Sequence, residues 1–250
     1  MQRFQSFDEV RTSVPTVCTI GAFDGVHLGH QRLIRAVVAE AHARQARAAV
    51  ITFFPHPRVV LGKAPARYLT LPEEKAAQIA ALGVDILITL AFTAQMMQMT
   101  ASAFVHQMVA SLRPLSLWVG PDFALGHRRQ GDVAYLSAQG RELGFAVNVM
   151  DKLSLGDRVI SSTRIREALA RGDLRDANQC LGRPFRVVAY PHGAQVLRAD
   201  ERQWLPAPGT YPARIADRTG LVTLAADRPH DLLLERPIDH RIGQVAVEFV

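Results

Sequence analysis

Two histidines, three residues apart, stand in the glycine-rich stretch GAFDGVHLGH, which spans residues 21–30. The imidazole N–H groups of His27 and His30 can donate hydrogen bonds to phosphate oxygens. The glycines at 21, 25 and 29 allow the backbone to bend sharply and to approach a ligand closely. An apolar run precedes the stretch, and apolar residues at helical spacing follow it. The stretch is therefore predicted to be a turn leading into a helix N-terminus, where an anion binds favourably.

Two loops that follow predicted strands carry further candidate residues. One loop comes after the apolar run AAVITFF, and its two prolines stiffen the backbone around a histidine. The other loop comes after SLWVG. Ligands of open α/β sheets bind beyond the carboxyl ends of the strands, so both loops are expected at the same sheet edge as the glycine-rich turn. The candidates are Pro55, His56, Pro57, Asp122 and Phe123.

The segment ISSTRIREAL (160–169) has the pattern of a helix start, and it allows two interpretations. Hydroxyl side chains are ordinary helix N-caps, so the serines and the threonine suit a purely structural role. Arg164 and Arg166, however, fall in the first turn, where the helix dipole disfavours cations. An anion bound between them would explain that cost. The residues alone leave both interpretations open.

Alternating strand and helix patterns must position these segments. Strands are predicted at 16–20, 48–54, 85–90, 116–120 and 145–150, and helices at 31–43, 71–83, 100–112 and 132–143. Such alternation argues for a parallel sheet with right-handed crossovers. The predicted fold class is therefore α/β, with a Rossmann-like parallel sheet.

The pattern changes after Arg186 to short β-like runs separated by Pro, Gly and Asp. Such spacing is typical of a small all-β sandwich or barrel. A boundary is predicted near 183–186, which gives a first domain at 1–184 and a barrel-like domain at 185–250.

The composition of the 250 residues, with 48% hydrophobic and 21% charged, is that of a globular protein. The net charge of +6 favours acidic small ligands over nucleic acid, because the basic residues are scattered and lack interleaved aromatics. The one basic cluster is Gly126–Arg129. Cys18 and Cys180 are expected to be buried free thiols. A cytoplasmic protein without a membrane partner is expected, since no apolar run is long enough to span a bilayer and the N-terminus lacks a signal-peptide pattern.

The stretch GAFDGVHLGH resembles the signature of the HxGH nucleotidyltransferases, in particular the bacterial FAD synthetases, which adenylylate FMN. TFFPHP (52–57), VGPDFALG (119–126) and ISSTRIREAL resemble the same family in the same order. The resemblance implies transfer of AMP from ATP to FMN, giving FAD and pyrophosphate, with Mg²⁺ bridging phosphate oxygens. ATP and FMN are then the substrates, and small molecules are the expected partners.

The resemblance also implies roles for individual residues. The catalytic residues would be His27, His30 and Arg166. The nucleotide-binding residues would be Gly21, Ala22, Phe23, Asp24, Gly29, Ser161, Ser162 and Thr163. The flavin-binding residues would be Pro55, His56, Pro57, Asp122 and Phe123. Two positions depart from the family pattern, because Ala22 stands where many members have asparagine and Leu125 where an aromatic residue is common.

The C-terminal segment resembles, weakly, the β-barrel riboflavin kinase domain of this family, through LPAPGTYPARI. It lacks the G-x-P-T-A-N segment and the closing helix of that domain, and Glu235 is the only remnant of the kinase base. No kinase activity is therefore expected. Three alternatives remain: a bifunctional riboflavin kinase/FAD synthetase, a cytidylyltransferase of the same superfamily, and a non-catalytic flavin- or nucleotide-binding protein.

Overall fold

A computed structural model describes residues 1–216, 218–238 and 243–250. Its packing divides the chain into two compact units. The first consists of Met1–Phe23, Gly29–Pro65 and Pro72–Leu153, and the second of Asp24–Leu28, Ala66–Leu71 and Ser154–Val250.

A parallel sheet forms the centre of the first unit, all of whose residues are described. The strands are β1 (Gln2–Phe4), β2 (Thr16–Ile20), β3 (Arg47–Phe53), β4 (Ile86–Leu90), β5 (Pro114–Val119), β6 (Ala124–Leu125), β7 (Gly131–Asp132) and β8 (Ala146–Val149). β6 and β7 form a separate antiparallel pair, while the other six form a sheet in the order β1-β4-β3-β2-β5-β8, with every neighbouring pair parallel. The predicted parallel sheet is confirmed, and β1 is an edge strand that was not predicted.

Helices cover both faces of this sheet. They are α1 (Leu28–Ala43), α2 (Pro57–Val60), α3 (Pro72–Ala80), α4 (Ala94–Gln98), α5 (Ala101–Leu112) and α6 (Val133–Leu143). Successive β2 residues point to opposite faces, as the two-residue period of a strand requires: Val17 packs with Val37 of α1, and Cys18 packs with the residues of α5. Because β2 is covered on both faces, all of its residues are buried and most are apolar or β-branched, which made it predictable.

The second unit joins two helices to a barrel. After the hairpin of β9 (Ser154–Leu155) and β10 (Arg158–Val159) come α7 (Ser162–Ala170) and α8 (Leu174–Leu181). The barrel strands are β11 (Phe185–Gly193), β12 (Val196–Ala199), β13 (Gly209–Ile215), β14 (Arg218–Ala225), β15 (Arg228–Leu234) and β16 (Val245–Phe249). Within the described residues these six strands close in the order β11-β12-β15-β14-β13-β16, which confirms the barrel-like expectation.

The predicted domain boundary after residue 184 coincides with the start of β11, but the two compact units divide the chain elsewhere. Residues 154–184 belong to the same unit as the barrel, as do the short segments 24–28 and 66–71. The division into domains 1–184 and 185–250 therefore stays a prediction. Cys18 and Cys180 are both buried and free, as expected. Over the described part of the chain, no helix combines the length and apolar character needed to cross a membrane.

Candidate active site

The rings of Phe23 and His30 pack against each other at the glycine-rich turn. Phe23 has a φ of 49°, a region that side-chain-bearing residues rarely adopt. Its ring meets the imidazole of His30 edge-on, with centroids 5.1 Å apart and planes at 82°. A Cβ on Gly21 would come within 2.9 Å of the Phe23 ring, so a side chain there would displace the ring. Phe23 therefore holds His30, in the first turn of α1, in one orientation.

The carbonyl of Ala22 is held by two side chains of the same unit. Thr52 Oγ1 and Lys75 Nζ both donate hydrogen bonds to it, each at 3.1 Å. At Ala22 the structure therefore shows a role for the backbone carbonyl, which depends little on the side chain. Lys75 was not identified from the sequence.

The side chain of His56 caps the N-terminus of the short helix after β3. Its Nδ1 accepts a hydrogen bond from the backbone N–H of Arg58 at 3.0 Å, which makes His56 the N-cap of α2. Pro57 occupies the first turn of α2, where a missing N–H costs nothing, and the Phe54–Pro55 peptide is cis. Because Nδ1 accepts, the imidazole presents a proton only at Nε2 in this state.

A pocket of about 850 Å³ lies in the first unit, where β3, β4 and α5 meet the loop after β5. Aromatic and thioether side chains form much of its wall, namely Phe53, Phe92, Met96, Met97, Met99, Phe104 and Phe123. Basic residues also line it: Arg58, Lys63, His127, Arg128 and Arg129. An apolar pocket of this size with a few charged groups suits a small organic anion.

Some of the predicted flavin-binding residues line this pocket and others do not. Pro57 and Phe123 line it, whereas Pro55, His56 and Asp122 are not among its described lining residues. Asp122 is exposed and forms an ion pair with Lys152, and its carbonyl accepts a hydrogen bond from Arg129 at 2.8 Å. Asp122 thereby fixes the loop from which Phe123 enters the pocket. Leu125, at a position where the family often has an aromatic residue, is buried against the core and also lines the pocket.

Asp24 is the centre of a polar cluster in the second unit, and only 3% of it is exposed. Its carboxylate accepts hydrogen bonds from the backbone N–H of Leu69 at 2.9 Å and of Thr70 at 3.3 Å, and it pairs with the guanidinium of Arg166. The Asp24 carbonyl accepts from Ser162 Oγ at 2.8 Å. Asp24 therefore fixes Arg166 and the start of α7, which differs from the direct nucleotide contact that the resemblance implies.

His27 is buried in the same unit, with 6% of the residue exposed. Burial lowers its pKa from 6.5 to about 4, and the positive charge of Arg183 lowers it further. Arg183 also donates a hydrogen bond to the carbonyl of Gly25 at 2.9 Å. His27 is therefore neutral at physiological pH.

The hydroxyl residues before and in α7 have different surroundings. Ser161 is the N-cap, since its side chain accepts from the N–H of Arg164 at 3.2 Å. Ser162 is bonded to Asp24, and Thr163 is exposed. The capping interpretation thus holds for Ser161, while the hydroxyl of Thr163 faces solvent in the first turn of the helix.

Arg164 does not take part in an anion site. It is buried, and its guanidinium bonds Asp176 of α8 at 2.6 Å together with the carbonyls of Leu155 and Arg158 at 3.1 and 2.7 Å. Hydrogen bonds from Arg164 hold the pKa of Asp176 below its usual value. The expectation that an anion lies between Arg164 and Arg166 is therefore wrong for Arg164, whose cost against the helix dipole is offset by a carboxylate of the neighbouring helix.

Within the described residues, no group of three or more His, Cys, Asp or Glu side chains is placed to hold a metal ion. Sequence reasoning also missed Lys75 and Arg183. A signal for Lys75 was present, because Lys75 and Ile79 are four residues apart, share one face of α3 and are both buried. Arg183 follows α8 without any periodic pattern to mark it.

Comparison with known proteins places these features in context. The sequence profile of the family described as FAD synthetase matches residues 10–164. The bifunctional riboflavin kinase/FMN adenylyltransferases of Listeria monocytogenes, Haemophilus influenzae and Escherichia coli are 35%, 36% and 35% identical to this chain. The alignments cover 81%, 81% and 80% of this chain and 68%, 70% and 67% of those proteins.

A similar fold occurs in a crystal structure described as a macrolide-efflux protein from Streptococcus pneumoniae. Its TM-score is 0.84 at 21% identity, and the match covers 99% of this chain and 89% of that one. At this identity the likeness concerns the fold alone, and it agrees with a parallel sheet followed by a barrel.

Proposed function

Because the chain belongs to the FAD synthetase family, we propose that it transfers the adenylyl group of ATP to FMN, giving FAD and pyrophosphate. An oxygen of the FMN phosphate attacks the α-phosphorus of ATP, and a new P–O bond forms. The bond from the α-phosphorus to the oxygen bridging to the β-phosphate breaks, and pyrophosphate leaves with that oxygen. No protein nucleophile is needed, so the residues act by positioning and by stabilising charge.

The pocket of about 850 Å³ is the observation that carries this proposal. The isoalloxazine ring of FMN is flat and largely apolar, and it suits walls made of Phe and Met side chains. The FMN phosphate is a dianion, for which Arg58, Lys63 and the basic cluster at 127–129 provide charge. A pocket for CTP alone would not need this apolar area, which disfavours the cytidylyltransferase alternative.

The predicted catalytic and nucleotide-binding residues have surroundings that suit their proposed roles. Neutral His27 would lie beside the α-phosphate, and His30, oriented by Phe23, would donate an N–H to the charge that develops there. Arg166 would hold the departing pyrophosphate together with the hydroxyl of Thr163. Asp24 and Ser162 would act indirectly, by fixing Arg166 and the start of α7.

Mg²⁺ would enter with ATP. This ion commonly keeps most of its coordination on water and substrate phosphates. The described residues do not form a protein cluster for it, so the triphosphate of ATP would hold the ion. A cytoplasmic setting and the absence of a nucleic-acid partner stay predictions.

The proposal is tested by incubating the purified chain with Mg²⁺, FMN and α-labelled ATP, with labelled CTP in a parallel reaction. Labelled FAD from ATP alone is the expected result. Arg58→Gln should raise the KM for FMN and leave that for ATP unchanged, while Arg35→Gln, an exposed arginine of α1, is the matched control. Labelled product from CTP would indicate a cytidylyltransferase, and binding of FMN without any product would indicate a non-catalytic protein.

The same reaction with riboflavin in place of FMN tests the barrel. Glu235 lies past the end of β15 and is exposed, so it lacks the enclosed setting expected of the base in a kinase site. We expect no FMN and no FAD from riboflavin and ATP. Formation of either would show that the chain is bifunctional.

A further inference from the structure

Lys75 is a buried lysine near the carboxyl ends of β2 and β3, and 6% of it is exposed. Its Nζ donates hydrogen bonds to the carbonyl of Ala22 at 3.1 Å, to Thr52 Oγ1 at 3.1 Å and to the carbonyl of Phe53 at 3.2 Å. Three donated bonds use the three N–H groups of an ammonium. These three bonds connect Lys75 to residues at the carboxyl ends of both β2 and β3.

These acceptors lie where the backbone pairing of the two strands stops. β2 and β3 pair in register as far as Ile20 and Ile51, and the N–H of Gly21 still bonds the carbonyl of Ile51 at 3.0 Å. Beyond that point the chains separate. One enters the turn with Phe23, whose ring orients His30, and the other enters the pocket wall at Phe53 and then the loop with Pro57.

We propose that Lys75 is a positioning residue that sets the spacing between the turn leading to His30 and the flavin pocket. This inference rests on the proposed function. Transfer to an in-line nucleophile depends on the distance between reacting atoms, and a misplacement of 1 Å can cost about 10²-fold in rate. The ammonium of Lys75, a residue of α3, bonds both chain segments. It thereby fixes the distance between them.

The chemistry of the site demands lysine in particular. Three acceptors converge on one point, which suits a compact ammonium on a flexible stem. The planar guanidinium of arginine directs its donors in a fork and does not match a convergent set. Methionine has a similar length and no donors, so it fills the space and removes the three bonds.

The test compares Lys75→Met, Lys75→Arg and the control Gln78→Met, in which the glutamine one turn along α3 bonds Glu74 instead. Turnover is measured per folded protein, and the dissociation constants of FMN alone and of ATP alone are measured by equilibrium binding. We expect Lys75→Met to lower kcat by about 10²-fold and to leave both dissociation constants nearly unchanged. Lys75→Arg should fall between wild type and Lys75→Met, and Gln78→Met should match the wild type.

Amide hydrogen exchange supplies a readout that does not depend on activity. In Lys75→Met the amides of residues 21–23, 54 and 56 should exchange faster, while those of residues 49–51, which pair with β4, should not change. If the wild type makes FAD and Lys75→Met keeps its kcat, the positioning role is overturned and the proposed function stands. If the wild type makes no FAD, the proposed function fails, and unchanged exchange at both segments would overturn the coupling by Lys75 as well. Loss of folding in both Lys75 variants would also overturn it, since Lys75 would then be a stability residue.

Discussion

Two arginines lie near the start of α7, Arg164 in its first turn and Arg166 at the beginning of its second, and they have opposite surroundings. Arg164 faces α8, where Asp176 and two backbone carbonyls occupy its guanidinium. Arg166 faces the glycine-rich segment, where its described ion-pair partner is the Asp24 carboxylate, and part of its side chain remains accessible. The helix dipole acts mainly within the first turn, so it disfavours the charge of Arg164 more than that of Arg166. The fold explains the first arginine completely, whereas the second is held in place with donors still available for a ligand.

The difference shows what an unfavourable charge in a helix can mean. A cation in a first turn identifies a place where something negative must compensate, but not whether that partner is a carboxylate of the protein or a phosphate of a ligand. The answer depends on α8 and on Asp24, which are distant in the sequence. Variants that separate stability from turnover distinguish the two cases.

The largest expected effect is on stability, from Arg164→Met. Removing one partner of a buried pair leaves the other charge uncompensated, at a cost of about 3–5 kcal/mol in the free energy of unfolding. Denaturant titration measures this loss, and kcat per folded protein should not change. The double variant Arg164→Met/Asp176→Leu should recover much of the stability, because an apolar replacement of both partners is close to neutral. A single variant as stable as the wild type would contradict the structural role of Arg164.

His30→Ala should lower turnover by about 10²–10³-fold, because it removes one oriented donor to the transition state. His42→Ala, at the exposed end of the same helix, is the matched control and should have no effect. Circular dichroism should show both variants folded. Near-normal turnover in His30→Ala would mean that the histidine serves the Phe23 contact alone.

Arg166→Lys should lower turnover by about 10²-fold, since an ammonium keeps the charge but loses the forked geometry that binds phosphate. Arg164→Lys provides the comparison at the other arginine, and it should change stability with kcat per folded protein intact. Single-turnover kinetics with labelled ATP separate the two outcomes. If both lysine variants changed only stability, Arg166 would be structural like Arg164.

An effect of similar size is expected on stability, from the pH dependence contributed by His27. Its pKa is lowered from 6.5 in the unfolded chain to about 4 in the folded one, so the unfolded state binds the extra proton between these values. Stability therefore rises with pH from about 4 to 6.5, by up to about 3 kcal/mol. Urea midpoints measured across this range should show a shallower rise in His27→Gln than in the wild type. Equal slopes would mean that His27 is not buried in its neutral form.

Much of the first unit was predictable because its strands are continuous apolar runs and its helices have clear periods. β2, β3 and β4 lie within a residue or two of their predicted bounds. β1 was missed because three residues with one partly buried side chain carry no periodic signal. The barrel was predicted from the spacing of its turns, although β16 was not identified as a strand.

The candidate site was predictable in its residue types and less so in its contacts. His27, His30 and Ser162 could be selected from motifs, since their local spacing is unusual. The roles of Asp24 and Arg164 depend on partners far along the chain, and a sequence without those pairings does not distinguish a ligand contact from a structural one. The basic residues of the pocket, such as Arg58 and Lys63, have ordinary local patterns and gain meaning only from the apolar walls beside them.

The bonds of the glycine-rich segment to the C-terminal part of the chain have a consequence for biosynthesis. Ser162, Arg166 and Arg183 bond residues 24 and 25 across separations of 138, 142 and 158 positions. Contacts between residues so far apart in sequence slow folding, because loop-closure entropy must be overcome before they form. At synthesis rates of about 5–20 residues per second, a ribosome needs on the order of 10–30 s after making Gly25 before Arg183 is added. During that interval the nascent parallel sheet can form, while residues 24 and 25 still lack these three bonding partners.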